Sequence, residues 1–295
     1  MRFILSALLK RSDQQRIHAL LNNSEDLKQS FPSYSARYSA LSDSPWLEQF
    51  NAMHSWQARD LHPALLQVKS LPLQLRCILD KSSPFPALGL VHVGNQITSR
   101  APLMAGEYTL HAQIIAIIRH RKGLIMRIAT TAELDGQCVY EARSDYLYRI
   151  RDKDKSSALR EVHESTIPPL QELEHYHYST SAGRLYAKIS GDYNPIHLWP
   201  LSAKLFGFQR PIVHGMHSLS LCLSTLRAQG LITRTFTVDN QFIQPAVLPS
   251  NAVLCVNDID TNSTDTREFQ LLQQHEGQPD LHSKPILRGT VIGSV

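Results

Sequence analysis

Hydrophobic residues follow two different spacings along the chain. A spacing of three or four positions runs from Leu61 to Leu79 and again from Pro211 to Gly230, which predicts a helix in each stretch. In the second stretch the apolar residues fall on several faces, so we expect that helix to be enclosed on several sides. Pro211 suits the first turn of a helix, and Gly230 suits its end.

Segments with the alternating pattern of β-strands follow each predicted helix. They span Tyr108 to Arg119, Leu124 to Leu134 and Gln137 to Tyr148 in the first half, and Ala252 to Asp260, Thr266 to Gln274 and Pro285 to Ile292 in the second. His175 to Ser179 alternates in the same way and would begin the second half. A helix followed by antiparallel strands indicates an α+β unit in which a curled sheet wraps one helix.

An internal repeat relates the two halves. Val93 to Ile97 reads Val-Gly-Asn-Gln-Ile and Val238 to Phe242 reads Val-Asp-Asn-Gln-Phe, and the two Asn-Gln pairs are 145 residues apart. We therefore predict two copies of the unit. The predicted domains are an N-terminal unit over residues 1–150 with a helical extension, a charged linker over 151–169, and a C-terminal unit over 170–295.

Composition narrows the function classes without choosing one. A hydrophobic content of 42%, a charged content of 19% and a net charge of +4 fit an ordinary globular protein and do not indicate nucleic-acid binding. No apolar run approaches the roughly 18 residues of a membrane span. The apolar start is short and is followed by Lys10-Arg11, which favours an amphipathic helix over a signal peptide. Four cysteines without paired spacing are expected to be buried thiols, so we expect a cytoplasmic protein.

Candidate chemistry is concentrated between Tyr186 and His197. Asp192 and His197 are five positions apart across Pro195, so a tight loop rather than one regular helix must bring them together. An aspartate and a histidine that share one water can act as a general acid–base pair, worth about 10²–10⁴-fold in rate. The amide of Asn194 is suited to holding that water or orienting one partner. The alternative is a polar turn in which Asp192 caps the next segment and His197 lies on the surface.

Gly215 is the second chemical candidate. It stands in the first turn of the predicted helix, where an unshielded backbone N–H at the positive end of the helix dipole can bind a carbonyl oxygen that gains negative charge. Removing such a donor typically costs about 10²–10³-fold in rate. The alternative is that Gly215 only permits close packing of helix against sheet.

The pattern Tyr-x-x-x-Ser-Gly-Asp-x-Asn-Pro-x-His over residues 186–197, with Ala203 after it and His214-Gly215 downstream, resembles the MaoC-like (R)-specific enoyl-CoA hydratases, also called hydratase 2. The resemblance extends from about Leu61 to the C-terminus. It implies a double hotdog fold and the reversible hydration of trans-2-enoyl thioesters to (3R)-hydroxyacyl thioesters. It implies an acyl-CoA or acyl carrier protein thioester as partner and no cofactor, and it is compatible with a homodimer of double-hotdog chains.

The resemblance also implies roles for individual residues. The predicted catalytic residues are Asp192, His197, Asn194 and, as the oxyanion donor, Gly215; the predicted substrate-binding residues are Tyr186, Ser190, Gly191, Pro195 and His214. Counting 145 positions back from Asp192 reaches Trp46 to Phe50, which carries no such motif. One active site per chain is therefore expected, and the resemblance implies that the degenerate half holds the acyl tail. Pro72 should kink or stop the first helix near residue 71 and leave volume for that tail.

Other functions and site types share some of these sequence features. A hotdog thioesterase and a non-catalytic acyl-thioester-binding protein share the fold. Asp192, His197, His214 and His217 include metal-ligand types, but their spacing matches no metal-site template, and we predict no metal. No nucleophile elbow, phosphate loop or dinucleotide fingerprint is present. Trp199-Pro200 stands where the family more often has small or acidic residues, so we expect this bulk to narrow the pocket mouth.

Overall fold

The computed structural model describes residues 10–22, 30–41, 44–150, 170–257, 266–275, 278–279 and 284–293. The predicted linker over 151–169 lies outside the described residues, as does nearly all of the predicted helix at the start of the chain. None of the helices in these ranges is long and apolar enough to cross a membrane. Cys77, Cys222 and Cys255 are buried free thiols, but Cys138 is exposed, so the prediction of burial is wrong for that residue.

Helices and strands alternate in a similar order in the two halves. The N-terminal half contains α1 (Gln14–Asn22), β1 (Ser33–Ala40), α2 (Pro45–Met53), α3 (Leu65–Lys69), α4 (Leu71–Leu79), β2 (Leu90–Ser99), β3 (Gly106–His120), β4 (Gly123–Leu134) and β5 (Gln137–Arg149). The C-terminal half contains β6 (Leu170–Tyr178), α5 (Ala182–Ser190), a 3₁₀ turn (Pro195–His197), α6 (Pro200–Leu205), α7 (Gly215–Ala228), β7 (Phe236–Phe242), β8 (Ser250–Asn257), β9 (Thr266–His275), β10 (Gln278–Pro279) and β11 (Leu287–Gly293). The predicted strands are confirmed, although the one expected from His175 begins earlier, at Leu170, and residues 258–260 of the one expected over Ala252 to Asp260 lie outside the described residues.

One antiparallel sheet runs through both halves. Its strand order is β1-β3-β4-β5-β2-β7-β11-β9-β8-β6, with β10 paired to β9 at the side. The first five strands mirror the last five, so the predicted repeat is confirmed. The halves join where β2 pairs with β7, and there Asn95 lies opposite Asn240, within the two Asn-Gln pairs of the repeat. This α+β architecture is a double hotdog.

Helix α7 is the long central helix of the C-terminal half. Its buried residues lie on several faces, as predicted: His217, Ser218, Leu219, Ser220, Cys222, Leu223, Ser224 and Leu226. Its predicted start at Pro211 is wrong, because α7 begins at Gly215. The preceding residues are extended and pair with a distant segment: the Val213 N–H donates to the Ala246 carbonyl over 2.9 Å, and the Leu248 N–H donates to the Pro211 carbonyl over 2.8 Å.

The corresponding helical region of the N-terminal half is interrupted. Within the predicted helix from Leu61 to Leu79, residues 61–64 are not helical, and the rest forms two short helices, α3 and α4, that meet at Ser70. The buried Ser70 hydroxyl donates to the Gln67 carbonyl over 2.7 Å and accepts from the Gln74 amide over 2.8 Å. Pro72 lies in the first turn of α4, where a missing N–H breaks no helical hydrogen bond. The predicted interruption near residue 71 is therefore confirmed, although the single helix is not.

Helix α2 links the two halves away from the sheet and was not predicted. The Trp46 indole N–H donates to the Ile189 carbonyl of α5 over 2.8 Å. The Trp46 ring stacks on Phe50 and is covered by the Lys69 ammonium, 3.1 Å from the ring centroid. The N-terminal half thus supports α5, the helix that leads into the candidate catalytic loop.

Candidate active site

The loop after α5 is fixed by short-range hydrogen bonds. Gly191 ends the helix in a left-handed conformation, with φ 76°. The Asp192 N–H donates to the Ser190 hydroxyl, and the Asn194 N–H donates to the Asp192 carboxylate, each over 3.1 Å. The Asn194 side-chain oxygen then accepts from the Ile196 N–H over 3.3 Å and caps the 3₁₀ turn. These residues set the direction in which the Asp192 carboxylate and the His197 ring face.

His197 is held in one tautomer. Its Nδ1 lies 2.7 Å from the Ile212 carbonyl oxygen, which only accepts, so Nδ1 carries the proton and Nε2 has a free lone pair. Burial lowers the pKa of His197, against the opposing effects of the Asp192 charge and the Ile212 carbonyl. The ring is therefore neutral near pH 7, with Nε2 available as a base.

Gly183 seats this loop and was missed in the sequence. A Cβ at this position in α5 would lie 2.0 Å from the carbonyl oxygen of His197. Only glycine allows the 3₁₀ turn to lie this close to the helix. The available signal was a glycine inside a helical pattern, which destabilises a helix and so indicates a close approach.

His214 completes a three-residue cluster with Asp192 and His197. Its ring stacks on His197, with centroids 3.7 Å apart and an interplanar angle of 25°. Its Nε2 donates to the Asp192 backbone carbonyl over 3.0 Å and lies 4.0 Å from a carboxylate oxygen of Asp192. Burial and the neighbouring His197 lower the pKa of His214 far below its ordinary value.

The cluster geometry suits proton transfer better than metal ligation. One ligand-type atom from each of Asp192, His197 and His214 lies within 4.8 Å of the others, which is close enough to suggest an ion. A metal ion, however, lies in the plane of each imidazole that binds it. Two rings stacked face to face cannot both meet this condition for one ion.

Gly215 is the first residue of α7, and His214 is its N-cap. The first N–H groups of a helix have no partner within the helix, so the Gly215 N–H is a candidate donor. A Cβ at this position would lie 2.7 Å from the Phe242 ring. The packing explanation offered for Gly215 is therefore valid, and it does not compete with the donor role.

One cavity of about 1150 Å³ connects the two halves. Every predicted catalytic and substrate-binding residue lines it: Tyr186, Ser190, Gly191, Asp192, Asn194, Pro195, His197, His214 and Gly215. Its wall in the N-terminal half includes Leu71, Leu75 and Ile78 of α4. The sequence motif and the broken helix of the other half thus face the same space.

Trp199 does not narrow this cavity, so that prediction is wrong. It is 57% exposed and is absent from the cavity wall. The Arg184 guanidinium lies 4.3 Å from the centroid of its ring and holds it on the surface.

Buried histidines behind the site were also missed. His54, which follows α2, donates from Nδ1 to the Phe50 carbonyl over 2.8 Å, so its Nε2 accepts from His217 Nδ1 over 3.1 Å. His62 lies 3.1 Å from the Ser220 carbonyl of α7. Burial lowers the pKa of His54 to about 4 and that of His62 well below its ordinary value. No local pattern could reveal the His54–His217 contact, because 163 positions separate the two residues.

Comparison with known proteins assigns the half of the chain that carries this cluster. Residues 168–269 match the family described as MaoC like domain. The C-terminal half is a MaoC-like domain. The matched region ends before β11 and contains Asp192, His197 and Gly215.

Relatives of this MaoC-like domain include named enzymes. The chain is 28% identical over 176 residues to 3-hydroxyacyl-thioester dehydratase X of Mycobacterium tuberculosis, covering 59% of this chain and 61% of that protein. It thus matches less than two thirds of that relative's length. Over 73 residues it is 36% identical to the peroxisomal enoyl-CoA hydratase 2 of Arabidopsis thaliana, covering 24% of this chain and 23% of that one.

Solved structures extend the likeness beyond the MaoC-like domain to the whole fold. The crystal structure of HtdX of Mycobacterium tuberculosis superposes with a TM-score of 0.71 at 22% identity, covering 88% of this chain and all of that one. Another protein of that organism, described as having a double hotdog fold, gives a TM-score of 0.54 at 10% identity, covering 91% and 97%. At these identities the likeness concerns the fold.

Proposed function

We propose that the protein is a hydro-lyase that interconverts trans-2-enoyl thioesters and (3R)-hydroxyacyl thioesters, in the manner of an (R)-specific enoyl-CoA hydratase or 3-hydroxyacyl-thioester dehydratase. The supporting observation is that the free Nε2 of neutral His197 and the Asp192 carboxylate meet beside the start of α7 in one cavity. The names of the two relatives above support the same reaction class. The catalytic roles of Asp192, Asn194, His197 and Gly215 are part of this proposal.

In the hydration direction, Asp192 and His197 hold one water against C3 of the enoyl group. His197 Nε2 accepts a proton from the water as the water oxygen bonds to C3. The electron pair of the double bond moves towards the thioester, and the Gly215 N–H stabilises the negative charge on the carbonyl oxygen. The acid–base pair then returns a proton to C2, so the water supplies the 3-hydroxyl and one hydrogen at C2. Dehydration runs through the same steps in reverse.

The polar cluster favours this reaction over the two alternatives. A protein that only binds acyl thioesters has no use for a histidine whose tautomer and charge are fixed beside a carboxylate. A thioesterase needs water at the carbonyl carbon, C1, whereas hydration needs an acid–base pair such as His197 and Asp192 that adds water at C3 and a proton at C2. A unit that only binds would be expected to lack such a pair, as the N-terminal half does.

The experiment that tests the proposal offers the purified full chain crotonyl-CoA and longer trans-2-enoyl-CoA substrates. Loss of enoyl absorbance with formation of the (3R)-hydroxyacyl product, and no release of free thiol, is the expected result. Thiol release without hydration would replace the proposal with a thioesterase. Absence of both reactions with every thioester, including carrier-protein thioesters, would contradict an enzymatic role.

A further inference from the structure

Large apolar side chains are concentrated on one part of the surface, around the loop after α5. Among the described residues nine large hydrophobic side chains are exposed, and five of them lie between positions 185 and 205. We call these five the apolar patch: Leu185, Tyr193, Trp199, Leu201 and Leu205. Leu205 and Leu201 are the most exposed of the nine, at 80% and 76%. Trp199, which does not line the cavity, therefore belongs to a larger feature of the surface.

Helix α6 carries its small residue inward and its large apolar residues outward. Ala203 is fully buried, whereas Leu201 and Leu205, four positions apart, share the outer face. The Ser202 hydroxyl donates to the Pro195 carbonyl over 2.7 Å, and the Phe208 N–H donates to the Ala203 carbonyl over 3.1 Å. These bonds fix the orientation of α6. Leucines held in water forgo the stabilisation that burial gives, so this face is suited to being covered by a partner.

Arg184 joins the parts of the apolar patch that come from α5 and α6. Its guanidinium donates to the Leu198 carbonyl over 3.1 Å and lies 4.3 Å from the centroid of the Trp199 ring. Leu185 is the next residue of α5 and is exposed. Tyr193 is 49% exposed and also lines the cavity. The patch is therefore one surface that borders the cavity.

The charges around the apolar patch are almost all positive. Residues 182–210 contain four basic residues and one acidic residue: Arg184, Lys188, Lys204, Arg210 and Asp192. Lys188, Lys204 and Arg210 are exposed. The Asp192 carboxylate accepts from the Asn194 N–H and lines the cavity, so it belongs to the candidate active site. This segment thus presents exposed leucines and a tryptophan within a basic border and offers no second carboxylate to neutralise it.

We propose that the apolar patch and its basic border dock the protein on the surface of an anionic lipid bilayer. Leucine and tryptophan side chains enter the boundary between head groups and acyl chains, and tryptophan favours that depth. Lysine and arginine are attracted to anionic head groups. A bilayer supplies both layers, one negative and one apolar, and adapts to side chains of any outline. This inference goes beyond the proposed function and does not depend on it.

The charge of the border argues against a second copy of the chain as the occupant. A two-fold contact brings the same surface together from both subunits. Lys188, Lys204 and Arg210 would then face a surface that is equally basic, and like charges placed opposite each other oppose association. An acidic protein would satisfy the charges, but it has no apolar layer beneath its surface for Leu201 and Leu205 to enter. The bilayer is the occupant that fits both features.

Vesicle binding tests the proposal directly. The full chain is sedimented with vesicles of phosphatidylcholine alone and of phosphatidylcholine mixed with phosphatidylglycerol, and binding should be about tenfold or more tighter to the anionic mixture. Leu201→Ser/Leu205→Ser should weaken that binding about tenfold or more, because two apolar side chains no longer enter the bilayer. The matched control is Leu41→Ser/Ile292→Ser, which removes two exposed apolar side chains elsewhere and should bind as the wild-type protein does.

A second pair of variants tests the basic border. Lys188→Gln/Lys204→Gln should weaken binding to the anionic vesicles about tenfold or more, since each basic residue near such a surface contributes about fivefold. Arg37→Gln/Lys81→Gln removes two exposed charges of the N-terminal half and should change little. Circular dichroism confirms folding of every variant. Equal binding by these two charge variants, or no binding of the wild-type protein to either vesicle, would overturn the proposal.

Tryptophan fluorescence reports which surface touches the lipid. The chain has three tryptophans, of which Trp56 is buried, Trp46 is half-buried and Trp199 is exposed. Anionic vesicles should shift the emission of the wild-type protein to shorter wavelength as Trp199 leaves water. Trp199→Phe keeps an apolar ring and should still bind, but without the shift. A shift of equal size in that variant would place the lipid contact elsewhere and overturn the proposal.

Sedimentation velocity without lipid tests the alternative occupants. A wild-type dimer that Leu201→Ser/Leu205→Ser converts to monomer would assign the apolar patch to contact between copies and overturn bilayer docking. Binding of an acidic acyl carrier protein that this variant abolishes, in the absence of vesicle binding by the wild-type protein, would assign the patch to a protein partner. An unchanged oligomeric state together with loss of vesicle binding is the result expected from the proposal.

Discussion

The two halves share one strand order and differ in their helices and loops. Helix α7 runs unbroken over 14 residues, whereas the N-terminal half has α4 of nine residues joined to α3 at Ser70. The loops after α2 and α5 each contain a left-handed residue near their start, Ser55 at φ 56° and Gly191 at φ 76°. Beyond that point one loop carries the Asp192–His197 pair and the other does not. The sheet therefore tolerates either outcome, and the difference in chemistry depends on a few loop residues.

The N-terminal half nevertheless contributes to the site of the other half. His54 bonds to His217 and His62 lies against the Ser220 carbonyl, so two of its histidines contact α7. Its α4 supplies the apolar wall of the cavity, and its β3–β4 turn supplies basic residues at the rim. The half without the motif has thus become support, wall and rim for the half with it.

The largest expected effect is on turnover, and it distinguishes the loop after α5 from the loop after α2. His197→Gln and Asp192→Asn should each lower kcat for crotonyl-CoA hydration by about 10²-fold or more, because each removes one member of the acid–base pair. Gln57→Ala, an exposed change in the loop after α2, should leave kcat unchanged. The measurement is the rate of enoyl absorbance loss, with circular dichroism as the folding control. Near-normal rates in both site variants would remove the functional distinction between the loops.

The next largest effect concerns the residues at which α4 and α7 begin, Ser70 and Gly215. Ser70 stands 145 positions before Gly215, the same separation as the two Asn-Gln pairs. Gly215→Ala places a methyl group against Phe242, which should lower the free energy of unfolding by about 1–3 kcal/mol and shift the N–H donor away from the thioester oxygen. We expect turnover to fall about tenfold or more, since donor position matters steeply.

Two further variants distinguish the packing role of Gly215 from its role as N–H donor. Adding Phe242→Leu to Gly215→Ala should restore much of the stability in urea unfolding, because it removes the clash. Ser70→Ala should cost about 1 kcal/mol through lost hydrogen bonds and leave turnover of four-carbon substrates intact. A Gly215→Ala protein with unchanged kcat would show that only packing requires this glycine.

A smaller, substrate-dependent effect tests the cavity wall of the N-terminal half. Leu75→Trp fills space beside α4 and should lower kcat/KM for long trans-2-enoyl thioesters about tenfold relative to the four-carbon substrate. Leu79→Trp, on the same helix but outside the cavity wall, is the matched control. Kinetics across chain length decide the matter. Equal losses at every length would indicate general destabilisation, and the tail would then lie elsewhere.

The smallest effect is on stability and concerns His54, which contacts His217 of the C-terminal half. Burial lowers the pKa of His54 from 6.5 to about 4, so below pH 6.5 the unfolded chain binds a proton that the folded protein does not. Stability therefore falls with acidification by about 1.4 kcal/mol per pH unit for this group, down to its folded pKa. His54→Gln should remove that share of the pH dependence in urea unfolding between pH 7 and 5. Identical slopes in the wild-type protein and the variant would exclude this role for His54.

The sequence predicted those features that are encoded locally. Alternating patterns located the strands, and a motif of twelve residues contains Asp192, Asn194 and His197. Features that depend on distant partners were not predictable in the same way. Helix α7 begins at Gly215 and not at the predicted Pro211, because residues 211–213 form hydrogen bonds with the segment around Ala246. The split at Ser70 was foreseeable from Pro72, whereas the contact of His54 with His217 requires the two halves to be folded together.

The pairing of β2 with β7 has a consequence for how such a protein can change over generations. Two identical subunits joined along this edge would carry every substitution twice, once on each side of the junction. Here both sides belong to one polypeptide, and each substitution occurs on one side alone. A mutation that alters the loop on one side therefore leaves the other side's loop in place. Two units joined in one chain can diverge independently, so a single gene can specify two unlike partners.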